Sequence, residues 1–167
     1  MLPEPPTISA LWKARFPDMD ASAMQIVGLL KRVEGQLARA LEPLFEGAPL
    51  TAPELEMLIP LRHLAEPVIA RRIAEHRFMS RAGISKALGK LESRGFIERT
   101  PSPADRRASL VSITEEGKAA VDALFPRQVA IESQLLASLG ADREKVMAAL
   151  TLLAEAFERA EVTIPPA

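Results

Sequence analysis

Between Met79 and Gly117 the chain reads MSRAGISKALGKLESRGFIERTPSPADRRASLVSITEEG, and this stretch limits the possible folds more than any other. Ile84, Leu88 and Leu91 recur at i, i+4 and i+7, the period of a helix with one apolar stripe. The opposite face carries Arg81, Ser85, Lys86 and Lys90. Arg94-Gly95 ends the helix, with Gly95 suited to the left-handed position after a helix terminus. Two short strand-like runs follow, Phe96–Arg99 and Leu110–Ile113, joined by the turn-rich loop Pro101-Ser102-Pro103-Ala104-Asp105-Arg106-Arg107. A helix with a basic face beside a hairpin with a basic tip has the shape to grip duplex DNA. Taken alone, the arginine pair also reads as a solvated surface turn.

The flanks decide what this unit is built into. A chain of 167 residues suffices for one sizeable domain or two small lobes sharing a core. No run of about 18 apolar residues occurs, so no membrane-spanning helix is expected. The Pro-rich start, Met-Leu-Pro-Glu-Pro-Pro, lacks the basic and apolar regions of a secretion signal, and a cytoplasmic location is the expectation. There is no cysteine, which removes disulfides, thiol nucleophiles and thiol redox sensing. His63 and His76 are distant in sequence and neither has a second histidine at i+3 or i+4, so no metal site is expected. No nucleophile–base pair, paired-carboxylate spacing or phosphate-cradling glycine loop appears, and no catalytic residue or cofactor is expected.

The formal net charge of −1 is misleading for a nucleic-acid binder, because the charge is unevenly placed. Residues 62–107 hold eleven Lys/Arg against five Asp/Glu, while the two flanks together are acidic. A local basic surface is what phosphate contact needs.

Residues 7–17 read as a short helix holding Ile8, Leu11, Trp12 and Phe16, broken by Pro17-Asp18-Met19-Asp20. A long amphipathic helix follows over about 21–44, its stripe Ile26, Leu30, Val33, Leu37, Leu41 and Leu44. Thr51-Ala52-Pro53-Glu54 matches a capping box and opens a helix carrying Leu55, Leu58, Ile59 and, despite Pro60, Leu61. Pro67 suits the first turn of a further helix running to about His76, with Val68, Ile69, Ile73 and Ala74 inward. Ser80 is placed to cap the basic-faced helix. Its interior glycines, Gly83 and Gly89, read either as tolerated weakness or as sites of close backbone approach. Thr114 is placed to cap another helix, which runs through Val121, Leu124, Phe125, Ile131 and Leu135 to near Gly140, kinked at Pro126. A last helix over about 142–160 has Val146, Leu150, Leu153 and Phe157 on one stripe. One small monomer offers too little partner surface for all these terminal stripes. A second copy would supply it, so a homodimer is expected, with an intrachain bundle the alternative.

Four fragments in order carry a likeness to a known family. Ala74 followed by Ile84-Ser85 has helix-turn-helix spacing, and Leu91–Arg99 resembles a helix end leading into a wing strand. Pro103–Arg107 resembles a wing tip, and Ile113-Thr114-Glu115-Glu116-Gly117 the start of the helix after it. The chain thereby resembles the MarR family of winged helix-turn-helix transcription regulators, most strongly over 73–117. Elsewhere the resemblance is one of architecture. It departs from the family at Phe78, where many such turns have glycine, and at Ala87 and Gly89, where polar or basic residues are common.

The resemblance implies a mainly α (α+β) fold: residues 51–114 a winged helix-turn-helix DNA-binding lobe, residues 1–50 and 115–167 together a helical dimerisation lobe. It implies a homodimeric, ligand-responsive repressor on double-stranded DNA, with recognition helices about 34–36 Å apart on an inverted-repeat operator. Ser80, Arg81, Ser85 and Lys86 would reach base edges or phosphates from the N-terminal half of the helix. Arg106 and Arg107 would enter the flanking minor groove, where negative potential concentrates. Asp105 would hold the wing tip in shape. Lys90 and Arg99 join this set, though each reads equally as a solvated surface charge. A small organic effector, amphipathic or anionic, would bind between the lobes. Some relatives hold a urate-like anion with a tryptophan, an acidic residue and arginines. Trp12 and Glu56 stand as candidates for such contacts, with Trp12 also readable as a core or interface anchor. The competing expectation is a protein-interaction module of the same shape that no longer binds DNA.

Overall fold

The computed structural model describes residues 5–77, 79–103, 105 and 108–162. The chain forms two compact units, Met1–Val129 and Ala130–Ala167, the boundary falling inside one helix.

The first unit begins with α1 (Pro5–Arg15) and α2 (Ser22–Phe45), which pack on each other. Asp20 closes the turn between them, accepting the Ser22 N–H at 2.9 Å. α3 (Ala52–Leu58) starts at the capping box read from the sequence: the Thr51 N–H donates to Glu54 Oε2 at 2.9 Å. A 3-10 turn, Ile59–Leu61, takes up Pro60.

The segment after Pro67 is not the helix start expected. Val68 and Ile69 are a strand, β1, and the helix α4 starts only at Ala70 and ends at His76. Both residues are β-branched, and they pair with Val111 and Leu110 of β3 (Ser109–Ile113). Pro67 therefore precedes a strand and opens no helix. Ile69 is 37% exposed, so it does not face inward as expected.

α5 (Arg81–Ser93) and β2 (Ile97–Pro101) follow, with β2 antiparallel to β3 and the sheet ordered β1-β3-β2. The expected two-stranded hairpin is thus extended by a third strand. Gly95, at φ +76°, makes the turn out of α5. The core of this unit gathers Leu50, Leu55, Leu58, Leu88, Leu91, Ile97 and Val111, each at most 1% exposed. Burying such side chains stabilises by about 1.5–3 kcal/mol each.

α6 (Glu115–Leu135) is capped by Thr114, whose Oγ1 accepts the Gly117 N–H at 3.0 Å. Pro126 lies within this helix. It stops at Leu135, five residues short of the expected end, and a 3-10 segment, Ala137–Asp142, leads into α7 (Arg143–Arg159). The change of geometry is marked by Gly140 at φ 48°, ψ −124°.

The expected stripes exist, but several are uncovered in the single chain. Of the α2 stripe only Leu41 and Leu44 are buried, while Ile26 and Val33 are 49% and 61% exposed. In α7 no residue is buried, and Leu150 and Phe157 are 50% and 60% exposed.

Candidate nucleic-acid interface

α5 is positioned from both ends and along one side. At its start the Gly83 N–H donates to Ser80 Oγ at 3.1 Å, so Ser80 is the cap its position suggested. Along its inner side Ile84, Leu88 and Leu91 are buried, which turns Ser85 and Lys86 outward to solvent. α5 packs against α4 on one side and β2 on the other. The two glycines now separate. A Cβ at Gly83 would stand 3.2 Å from Ser80 Oγ, so close approach of the cap explains it; at Gly89 only Arg99 comes as near as 4.0 Å, and nothing requires glycine.

The hairpin is closed near its tip by two backbone hydrogen bonds, Ser102 N–H to Ala108 O and Ala108 N–H to Asp105 O, both 2.9 Å. Asp105 sits exposed at this turn. Arg106 and Arg107, and also Phe78 and the side chain of Arg81, lie outside the described residues. Between α5, β1 and the hairpin lies a cleft of about 480 Å³, floored by Ile69, Ile84 and Leu88 and edged by Ser85, Arg99 and Ser102.

The basic run of 62–107 is less free than its count implies. Arg62 makes a two-pronged pair with Asp122 of α6, at 2.8 and 2.7 Å, and these bonds hold the Asp122 carboxyl below its usual range. Arg71 pairs with Glu75 at 3.3 Å, and Arg77 pairs with Glu56. Lys90 reaches Glu54 at 3.0 Å, and Arg94 grips the same carboxylate at 2.9 Å. Arg99 Nε donates to Glu92 at 2.8 Å. Burial pushes the Glu54 carboxyl up, but the Thr51 N–H, Lys90 and Arg94 together outweigh it and bring its pKa to about 2. Among the described side chains of this run, Arg72 and Lys86 are the two without an ion pair.

Of the expected DNA contacts, then, Ser85 and Lys86 share the outward face of α5, and Ser80 stands at its start. Lys90 and Arg99 are held by carboxylates of the chain itself. Arg72, on the exposed face of α4, was not singled out. Its signal was readable: two adjacent arginines opening a helix with no acidic residue in its first turn, a placement that opposes the helix dipole.

Trp12 stacks on Phe16 within α1, ring centroids 5.6 Å apart. Glu56 borders a different feature, a cleft of about 630 Å³ between α2 and α3, floored by Leu37, Leu41 and Phe45. Glu34, Glu42 and Glu46 also line it, and Trp12 is not among its lining residues.

Comparison with known proteins points one way. Residues 47–108 match the family model described as MarR family. The HTH-type transcriptional regulator PecS of Dickeya dadantii (strain 3937) is 28% identical over 141 residues, covering 83% of this chain and 85% of its own. The crystal structure of the PcaV transcriptional regulator from Streptomyces coelicolor in complex with its natural ligand matches at TM-score 0.67 and 24% identity, covering 80% of this chain and 92% of that one. The S. aureus MepR-DNA complex matches at TM-score 0.72 and 20% identity, covering 78% and 96%.

Proposed function

We propose that this chain, a MarR-family winged-helix protein, is a cytoplasmic transcription regulator that binds double-stranded DNA as a homodimer, reads an inverted-repeat operator and acts as a repressor relieved by a small organic effector. The observation that carries this reading is α5 itself: a capped helix anchored on its apolar side, with Ser85 and Lys86 on its solvent face beside a closed hairpin. The relatives above are regulators by name, and one of the similar structures is a DNA complex.

In this reading α5 lies in the major groove, with Ser80, Arg81, Ser85 and Lys86 at base edges and phosphates. Arg106 and Arg107 enter the adjacent minor groove, and Asp105 shapes the tip that carries them. Arg72 joins as a phosphate contact from the preceding helix. Residues 51–114 are the DNA lobe, and 1–50 with 115–167 form the dimerisation lobe. The homodimer is supported by the uncovered apolar residues of α1 and α2, such as Leu11, Leu29 and Val33, and by those of α7, such as Met147 and Phe157. The effector is an organic molecule, with Trp12 and Glu56 its candidate contacts. The carboxylates around Glu56 disfavour an anion at that cleft and favour a ligand that brings positive charge.

The ion pairing of most of the basic run gives the interaction-module alternative its one specific support. Titrating binding to a random-sequence duplex with salt separates the two. A DNA regulator loses affinity steeply as salt rises, through counterion release. An interaction module shows no duplex binding at low salt.

A further inference from the structure

Lys86 and Lys90 of α5 and Arg94, the residue that caps its C-terminus, follow one another at four-residue spacing and so form a single basic ridge. The structure divides that ridge. Lys86 is exposed and has no ion pair among the described residues, whereas Lys90 and Arg94 converge on one carboxylate, Glu54, whose side chain is only 8% exposed. Arg94 Nη1 lies 2.9 Å from both Glu54 oxygens, and Lys90 Nζ lies 3.0 Å from Oε1. Arg94 also donates to the Pro49 carbonyl, and its guanidinium lies 5.0 Å from the centroid of the Phe96 ring. The Thr51 N–H completes the set from the far side of the carboxylate.

We propose that Glu54 is a positioning residue for α5: by gripping Lys90 and Arg94 it pins the end of a helix whose apolar stripe is already seated in the core, and so sets the angle at which Ser85 and Lys86 are presented, while Lys90 belongs to the frame and does not contact phosphate. The inference rests on the DNA-binding reading above. The buried stripe Ile84, Leu88 and Leu91 already sets which face of α5 is inward; two charged contacts a turn apart on one carboxylate hold its C-terminal end in place against Glu54. The grip also has a fixed base. Glu54 is locked into the capping box of α3, and Pro49 and Thr51 belong to the segment leading out of α2. The C-terminal end of α5 is thereby fastened to the start of α3 and to the loop that precedes it. A carboxylate this buried requires its cations, since leaving it unpaired is strongly unfavourable. That keeps Lys90 on Glu54 even where phosphate is near.

The test uses the full chain and a duplex selected from fragments of the host genome, with dissociation constants measured across a salt series. The variants are Lys90→Met, which keeps most of the stem but removes the charge, Glu54→Gln, and the two combined. Melting curves fix a temperature at which every variant is folded; Lys90 is 60% exposed, so its substitution leaves the core intact. Each single variant is expected to weaken binding roughly tenfold. The slope of log Kd against log salt should stay unchanged, and Lys90→Met should add nothing once Glu54→Gln is present. Three results would overturn the inference: a slope reduced by about one on removing Lys90, the signature of a lost phosphate contact; an effect of Lys90→Met as large in the Glu54→Gln background as in the parent; or unchanged affinity in both single variants. A parent protein without salt-sensitive duplex binding would overturn the DNA-binding reading, and this inference with it.

Discussion

Six of the eleven basic residues of this run are paired with carboxylates of the fold, and Lys86 and Arg72 are the two described side chains of the run without an ion pair. Each should contribute one phosphate contact. Lys86→Ala and Arg72→Ala are therefore expected to lower the slope of log Kd against log salt by about one apiece, with melting temperature unchanged. A gel-shift series at four or five salt concentrations reads this; an unchanged slope in both variants removes them from the interface. The sequence exposed the positive charge but not its most distant partners: Glu54 lies 40 residues from Arg94, and Asp122 lies 60 from Arg62. Gly117 is a different case. Its place in the Ile113–Gly117 fragment was legible, and the reason appears only in space. A Cβ there would fall 2.1 Å from the Phe96 carbonyl oxygen and 2.7 Å from Ile113. Gly117→Ala should cost about 2–3 kcal/mol by overpacking. Calorimetry should show this as a melting temperature lowered by roughly 5–10 °C; an unshifted melt would mean that α6 can move off the hairpin freely.

Between elements, the capping box of α3 and the end of α5 meet at Glu54, and acid should loosen that junction first. Its carboxyl is depressed in the folded chain, from 4.5 to about 2. A depressed acid contributes stability that is complete above the unfolded pKa and is lost as pH falls toward the folded one. The window is thus from about pH 5 down to about 2, and the contribution is on the order of 2–3 kcal/mol. Denaturant unfolding of Glu54→Gln should show a flatter dependence across that window than the parent; parallel curves would contradict the pairing. Most elements were readable because their signals are local. Ser80, Thr51 and Thr114 cap the helices they precede, and the stripe Ile84, Leu88, Leu91 is buried as its period demands. β1 was not readable. Two residues after a proline and before an alanine carry no periodicity, and what makes them a strand is β3, more than 40 residues away.

At the scale of the molecule, the uncovered apolar residues define the expected partner surface. Leu11, Trp12 and Phe16 of the N-terminal segment are 60%, 49% and 48% exposed in the single chain. Deleting residues 1–20 should loosen a dimer that these side chains help to close, visible as a dissociation constant raised at least tenfold in sedimentation equilibrium; an undisturbed dimer would leave Trp12 to the effector or to α1 alone. The proposed pairing would also fix what the DNA must look like. Two copies of α5 set one helical turn apart would touch two half-sites on one face of the duplex, centred about 10 base pairs from each other. Methylation interference on a duplex selected from genomic fragments tests this directly, because methyl groups at guanine N7 obstruct the major groove. The expected pattern is two symmetric clusters of interference at that spacing, lost in an α5 variant lacking Ser85 and Lys86. A single cluster, or binding indifferent to N7 methylation, would contradict a paired helix seated in the major groove.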